Sequence, residues 1–159
     1  MITRRLLLAL SLIALPGAAV APNVAVTAGD ALPAALAACW QARGTGFTLA
    51  QVAARIAGRT GKAALLAVAG AAISEDGAEV ETAAEIVWDA GASTPAWPLL
   101  GRDLARGLPA AALGGDGRWW LLLALNAEAA SVRDPISGES RLLALKDIVL
   151  IARPVIAGA

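Results

Sequence analysis

The chain has 159 residues, 13 of them basic and 13 acidic, and 58% of its residues are hydrophobic. That length favours one domain with a proper core, and the apolar share excludes an intrinsically disordered chain. The balanced charge offers nothing to draw nucleic acid. With no histidine and the single Cys39, the chain lacks an internal disulfide and the usual ligands of zinc and haem, and serine–histidine and cysteine–histidine catalysis are excluded.

The first residues, MITRRLLLALSLIALPGAAVAPN, set Arg4 and Arg5 before an apolar run from Leu6 to Leu15 that Pro16-Gly17 breaks. Ala19-Val20-Ala21 then offers small residues at cleavage spacing, the pattern of a secretory signal peptide. The run is too short to span a bilayer comfortably. Residues 1–21 are thus read as a signal-like segment and 22–159 as one domain. Without the segment 11 basic and 13 acidic residues remain, a net charge of −2. Cleavage would send the domain to the periplasm. An uncleaved segment would hold it at the inner membrane, on the cytoplasmic side.

Residues 22–29 read as an extended lead-in. Residues 30–44 predict a helix capped by Asp30 and ended by Gly44, with Pro33 tolerated in its first turn. Its apolar face is Leu32, Ala35, Leu36, Cys39 and Trp40. Residues 48–58 predict a second helix, with Thr48 as cap and Gly58 as stop. Residues 62–73, apolar all round, are expected to form a buried helix. Residues 74–91 are expected to form another, because acidic residues crowd its first turns and suit the helix dipole. On that helix Glu81, Glu85 and Asp89 recur four apart and repel one another, with no basic residue between Lys62 and Arg102 to offset them. They predict a solvated face, or an acidic ridge that docks a basic partner.

From residue 95 the texture changes. Residues 94–99 read as extended and 101–107 as a helical turn. Residues 108–113 and 118–125 read as strands joined by a Gly-rich turn, followed by a strand at 129–134. Residues 140–145 and 148–155 complete the sheet around a short turn. Helices first and an antiparallel sheet after predict an α+β fold. Trp119 and Trp120, adjacent on a strand, must face opposite sides. One is expected to fill the core and the other to point outward or into a cleft, where it could anchor a peptide. The stretch AGRTGKAA at 57–64 hints at a phosphate loop but has Ile56 where its first Gly belongs and Ala63 where Ser or Thr belongs, so nucleotide binding is rejected. Cys39, mid-helix on the apolar face, is read as a small buried hydrophobe.

The segment GLPAAALGGDGRWWLLLALNAEAASVRDPISGESRLLALKDI, residues 107–148, combines with the first helix into an ordered set. It holds a Leu-Pro strand, a Gly turn, an aromatic strand, a hairpin and an Asp134-Pro135-x-x-Gly138 turn. This order, over about residues 30–155, resembles the peptidase C39 family. Those are papain-like domains at the N-terminus of ABC exporters that process bacteriocins and related peptides. The closer likeness is to degenerate C39-like domains of type I secretion exporters, which no longer cut but help bind unfolded cargo.

The resemblance implies a papain-like core and places the catalytic positions one by one. The nucleophile position is Ala31, between the matching ends Asp30 and Gly44. The oxyanion position is Ala25. The histidine position is Trp119, or Arg118 with a different gap, and the orienting aspartate is Asp134. Only Asp134 keeps its type, and a turn-forming role is expected for it, with its carboxylate accepting backbone N–H bonds. The resemblance therefore implies a non-catalytic module that binds an unfolded or extended polypeptide through Trp97, Trp119, Trp120 and Asp134. No metal or cofactor is implied, and an ABC exporter is a possible partner. An accessory envelope protein with a purely structural role is the alternative. An active peptidase using Cys39 would lack a general base.

Overall fold

The computed structural model describes residues 31–44, 47–73, 77, 79–90 and 97–157. The signal-like segment, Ala25 and Asp30 lie outside them. The described elements run α1 (Ala31–Ala42), α2 (Leu49–Ile56), α3 (Gly61–Ala67), β1 (Gly70–Ile73), β2 (Glu79–Asp89), α4 (Trp97–Ala105), β3 (Ala110–Gly114), β4 (Trp119–Leu125), β5 (Ala129–Arg133), β6 (Ser140–Ala144), a 3-10 turn (Leu145–Asp147) and β7 (Ile148–Ala157). The seven strands form one antiparallel sheet in the order β1-β2-β7-β3-β4-β5-β6. The fold is α+β. The separation of helices from strands is incomplete, since β1 and β2 precede α4.

Strand alternation sorts the core into two layers. Ala111, Trp119 and Leu121 face one way and pack with α1, α2 and α3 around Leu36, Cys39, Trp40 and Leu65. Ala110, Ala112, Trp120 and Leu122 face the other way and pack with Leu100 of α4. Both faces of the sheet are therefore covered by helix over its centre, which is why β3 and the start of β4 read as continuous apolar runs instead of alternating ones.

The helix signals at the N-terminal end hold. Leu32, Ala35, Leu36, Cys39 and Trp40 are all buried on α1, and Gly44 adopts the left-handed φ of 89° that turns the chain away. Thr48 caps α2 in a full capping box with Gln51. The stop comes one residue earlier than the sequence predicts: Ala57 takes the left-handed cap conformation, φ 45°, and donates its N–H to Ala53. Left-handed alanine costs about 1–2 kcal/mol, and glycine returns part of any gain by loosening the unfolded chain. Ala57→Gly should raise stability by about 0.5 kcal/mol, read from the midpoint of urea unfolding.

Three expectations are corrected. The helix expected over 62–73 ends at Ala67, and Gly70, with φ 135°, opens strand β1. The helix expected over 74–91 is instead strand β2 from Glu79 to Asp89. Val80 and Thr82 point in while Glu79 and Glu81 point out, a period of two. The residues expected as extended at 94–99 run into the first turn of α4, which begins at Trp97 with Pro98 in that turn. The acidic series also changes meaning. Glu85 lies 3.1 Å from Arg153 and Asp89 pairs with Lys62, so these two carboxylates form no bare ridge on a helix.

The two outer strands differ. On β1, the Arg55 guanidinium donates to the Ala71 carbonyl, and also to Val68 O at 3.1 Å and to Thr82 Oγ1 at 3.2 Å. On β6 no side chain of a described residue bonds the backbone. The β5–β6 register runs unbroken from Arg133↔Ser140 to Ala129↔Ala144, while the β2–β7, β3–β7 and β4–β5 registers all shift. Leu142, at the middle of β6, is 73% exposed.

Candidate functional site

The Gly-rich turn before β4 and the Asp-Pro turn after β5 bring Arg118 and Asp134 together. Gly117 takes a φ of 87°, Gly114 N–H donates to the Arg118 carbonyl at 2.8 Å, and Arg118 N–H donates to Asp116 Oδ1 at 3.0 Å. Across the β4–β5 pair, Arg118 Nη2 donates to Asp134 Oδ2 at 2.8 Å. The other carboxylate oxygen accepts the N–H groups of Ile136 at 2.8 Å and Ser137 at 3.0 Å, an Asx-type turn. Burial alone would raise the Asp134 pKa. The Ser137 and Ile136 N–H groups, followed by Arg118, outweigh it and hold the carboxyl below its ordinary value.

The aspartate that resembles a histidine-orienting residue therefore orients an arginine. A guanidinium keeps its proton throughout the ordinary pH range and cannot act as a general base. Its Cζ lies 4.3 Å from the ring centre of Trp120, and the Cζ of Arg141 lies 5.1 Å from the same ring centre. Arg118 is 43% exposed on its side chain, so its ion pair is weak. Asp134→Asn should cost less than about 1 kcal/mol, because its remaining carbonyl oxygen can still accept the turn N–H groups. Asp134→Ala, which loses those as well, should cost about 1–2 kcal/mol more in the same urea titration.

Both tryptophans of the pair are buried: Trp119 is 9% exposed on the α1 side and Trp120 1% exposed on the α4 side. The expectation that one would stand outward or in an open cleft does not hold, because helices cover both faces there. Ala31, where the resemblance would put a nucleophile, starts α1 and packs against the same core layer as Trp119. Trp97 starts α4, and its side chain lies outside the described residues. Cys39 is fully buried. Burial pushes its thiol pKa up to about 12 against the opposing pull of Arg43. The native protein should accordingly resist thiol-specific reagents such as Ellman's reagent, with one thiol appearing only on unfolding. Rapid labelling of the folded protein would contradict that.

Two features have no signal in the sequence pattern. The first is a charged staple. Asp103 of α4 is 4% exposed, and its Oδ2 accepts from Arg43 Nη2 at 2.8 Å and from Arg153 Nε at 2.6 Å. Arg43 also donates to the carbonyls of Cys39 and Pro109, and Arg153 reaches Glu85 at 3.1 Å. One carboxylate thus ties together α4, the end of α1 and β7, and Arg153 extends the link to Glu85 of β2. Contacts between residues 50 or more apart in sequence leave no local trace.

The second is a groove of about 670 Å³ between α4 and the far end of β4, lined by Gly101, Leu104, Ala105, Leu123, Leu125 and Leu145 among others. A smaller hollow of about 320 Å³ lies near β1, where Arg55 and Thr82 line it with Trp40 and Phe47. Among the described residues no group of three His, Cys, Asp or Glu side chains could hold a metal ion, and no helix is long and apolar enough to cross a membrane. No family model, no curated protein and no solved structure matches this chain.

Proposed function

We propose that the chain is a non-catalytic module with a papain-like core of the C39-like kind. It holds an unfolded or extended polypeptide and serves type I secretion through an ABC exporter, at the cell envelope. The observation that carries this reading is the Arg118–Asp134 pair at 2.8 Å. Where the resemblance puts a base and its orienting carboxylate, the chain keeps the carboxylate and its turn but pairs it with a group that cannot take a proton. Ala31 at the nucleophile position agrees with this, and Cys39 is too deeply buried to replace it. The burial of Trp119 and Trp120 moves the binding surface elsewhere. The open strand β6, with Leu142 at its centre, supplies backbone pairing and an apolar contact of the kind that captures extended chains.

A purely structural envelope role is the second reading, and the filled space around both tryptophans favours it. Titration with fluorescent reduced, carboxymethylated lactalbumin, which cannot refold, separates the two. The binding module captures this reporter without cutting it, and Leu142→Lys weakens capture at least about fivefold, the equivalent of about 1 kcal/mol. No capture, or capture that Leu142→Lys leaves unchanged together with cleavage of the reporter, overturns the first reading.

A further inference from the structure

The smaller hollow, between α2 and the β1–β2 pair, has an apolar body and a polar wall made of donors. Val52, Val68, Ile73 and the edge-to-face pair of Trp40 and Phe47, 5.8 Å between ring centres, supply the apolar surface. Two of the lining polar groups are spent. The Trp40 indole donates to the Val155 carbonyl at 3.3 Å, and the Thr82 hydroxyl donates to Val68 O at 2.7 Å while accepting from Arg55. Two others keep capacity. Gln51 gives its Oε1 to the Thr48 N–H in the capping box, which leaves its Nε2 amide without a bond to a described residue. Arg55 lines the hollow one turn further along α2 and carries five N–H groups. Three bonds go to Val68 O, Thr82 Oγ1 and Ala71 O, which are all neutral, so two N–H groups and the positive charge stay uncompensated among the described residues. No carboxylate is among the lining residues. Glu79 and Glu81 stand exposed on the other face of β2 from Thr82, and Asp89 pairs with Lys62. The volume, about 320 Å³, lies at the small end of ligand sites, about 300–1,000 Å³.

We propose that this hollow binds a small carboxylic acid with an apolar body. The body lies against Val52, Ile73 and the Trp40–Phe47 pair. The carboxylate accepts from the remaining N–H groups of Arg55 and from Gln51 Nε2, and a hydrogen bond between charged partners is about twice as strong as a neutral one. The bonds that tie Arg55 to β1 are kept, since the ligand takes only the N–H groups they leave over. None of the lining residues belongs to β6 or to the Arg118–Asp134 pair, so the inference goes beyond the polypeptide-binding reading and does not depend on it.

The test uses the full chain, labelled with nitrogen-15 and titrated with sodium octanoate below its micelle concentration. The magnetic-resonance signals of the Gln51 side-chain amide and of Arg55 Nε should move and saturate. Octanamide keeps the tail and loses the charge, and should bind at least about tenfold more weakly. Octylammonium, with the opposite charge, should move neither signal. Gln51→Glu keeps the capping box, which glutamate serves as well as glutamine, but places a carboxylate beside Arg55 where that of the ligand belongs. It should weaken octanoate at least about tenfold. Ala54→Phe fills the hollow from an exposed position on α2 and should do the same. Circular dichroism of each variant checks that the fold is kept. No saturable binding of octanoate, equal binding of octanoate and octanamide, or full affinity in Gln51→Glu or in Ala54→Phe overturns the inference. Capture of the lactalbumin reporter is read separately, and its failure removes the binding module while leaving this site in place.

Discussion

Trp120→Ala should lower folding stability by about 4 kcal/mol and shift the urea midpoint far down, while Trp120→Phe should recover roughly half of the loss. Trp120 is 1% exposed and sits among Ala110, Ala112, Leu122, Val132 and Ile151, whose neighbours are fixed by sheet register and cannot collapse into the space a missing indole leaves. Truncation also strips the ring from under Arg118 and Arg141. Typical domains hold about 5–15 kcal/mol in total, so the variant stands near the threshold of folding. This is the opposite of what a binding hot spot predicts, where truncation leaves the fold intact and affinity falls. Measuring unfolding and reporter capture on the same sample decides between the two. A stable Trp120→Ala protein that has lost only capture would return the indole to the binding surface.

The second large effect is expected at Asp103. Asp103→Ala strips the shared carboxylate from the nearly buried Arg43 and from Arg153, which is partly exposed and keeps Glu85, so it should cost about 3 kcal/mol, the low end for breaking a buried pair from one side. The same carboxylate sets a pH dependence. Burial opposes its charge, but hydrogen bonds from Arg153 and Arg43, with their charges, outweigh burial and hold its pKa below the ordinary 3.8. A carboxyl lowered in the folded state stabilises that state above its unfolded pKa, and the contribution fades as pH falls through the folded value. Wild type should therefore lose stability as it is acidified below about pH 4, and Asp103→Asn should start lower and lose less over the same range. The Asp134 carboxyl, also lowered, leaves a residual slope in that variant. Identical acid curves for wild type and Asp103→Asn would show that the staple contributes nothing ionic.

What could be read from the sequence was local. Thr48, Gly44 and the spacing of Leu32, Leu36 and Trp40 act within a few residues of themselves, and they mark α1 and α2 correctly. Strands β3 to β7 were legible because dense apolar runs are bounded by Gly, Asn and Asp-Pro turns. The error at β2 came from reading acidic crowding as a helix start when Glu79-Val80-Glu81-Thr82 alternates charge with β-branched residues. At α4, the extended reading overlooks that the rule that admits Pro33 into the first turn of α1 admits Pro98 equally. The Asp-Pro turn marked Asp134, but its partner could not be settled between positions 118 and 119. Only the geometry of the Gly114–Gly117 turn sends Arg118 toward the carboxylate and Trp119 into the core. The staple and the groove depend on which distant segments meet, and a single chain read in order does not contain that information.

The unequal outer strands have a consequence for how copies of this molecule can meet. A sheet open at both sides can add neighbours without end and grow into a fibre. Here Arg55 occupies backbone acceptors on β1 and beside it, while β6 keeps an unbroken register with β5 and no side chain of a described residue bonds its backbone. Growth by strand addition is thus limited to a single step. On the proposed reading, one chain pairs along Ser140–Ala144 and uses up that edge. A chain taken up there would then give a bounded complex instead of a polymer, in keeping with an exposed leucine on an edge strand.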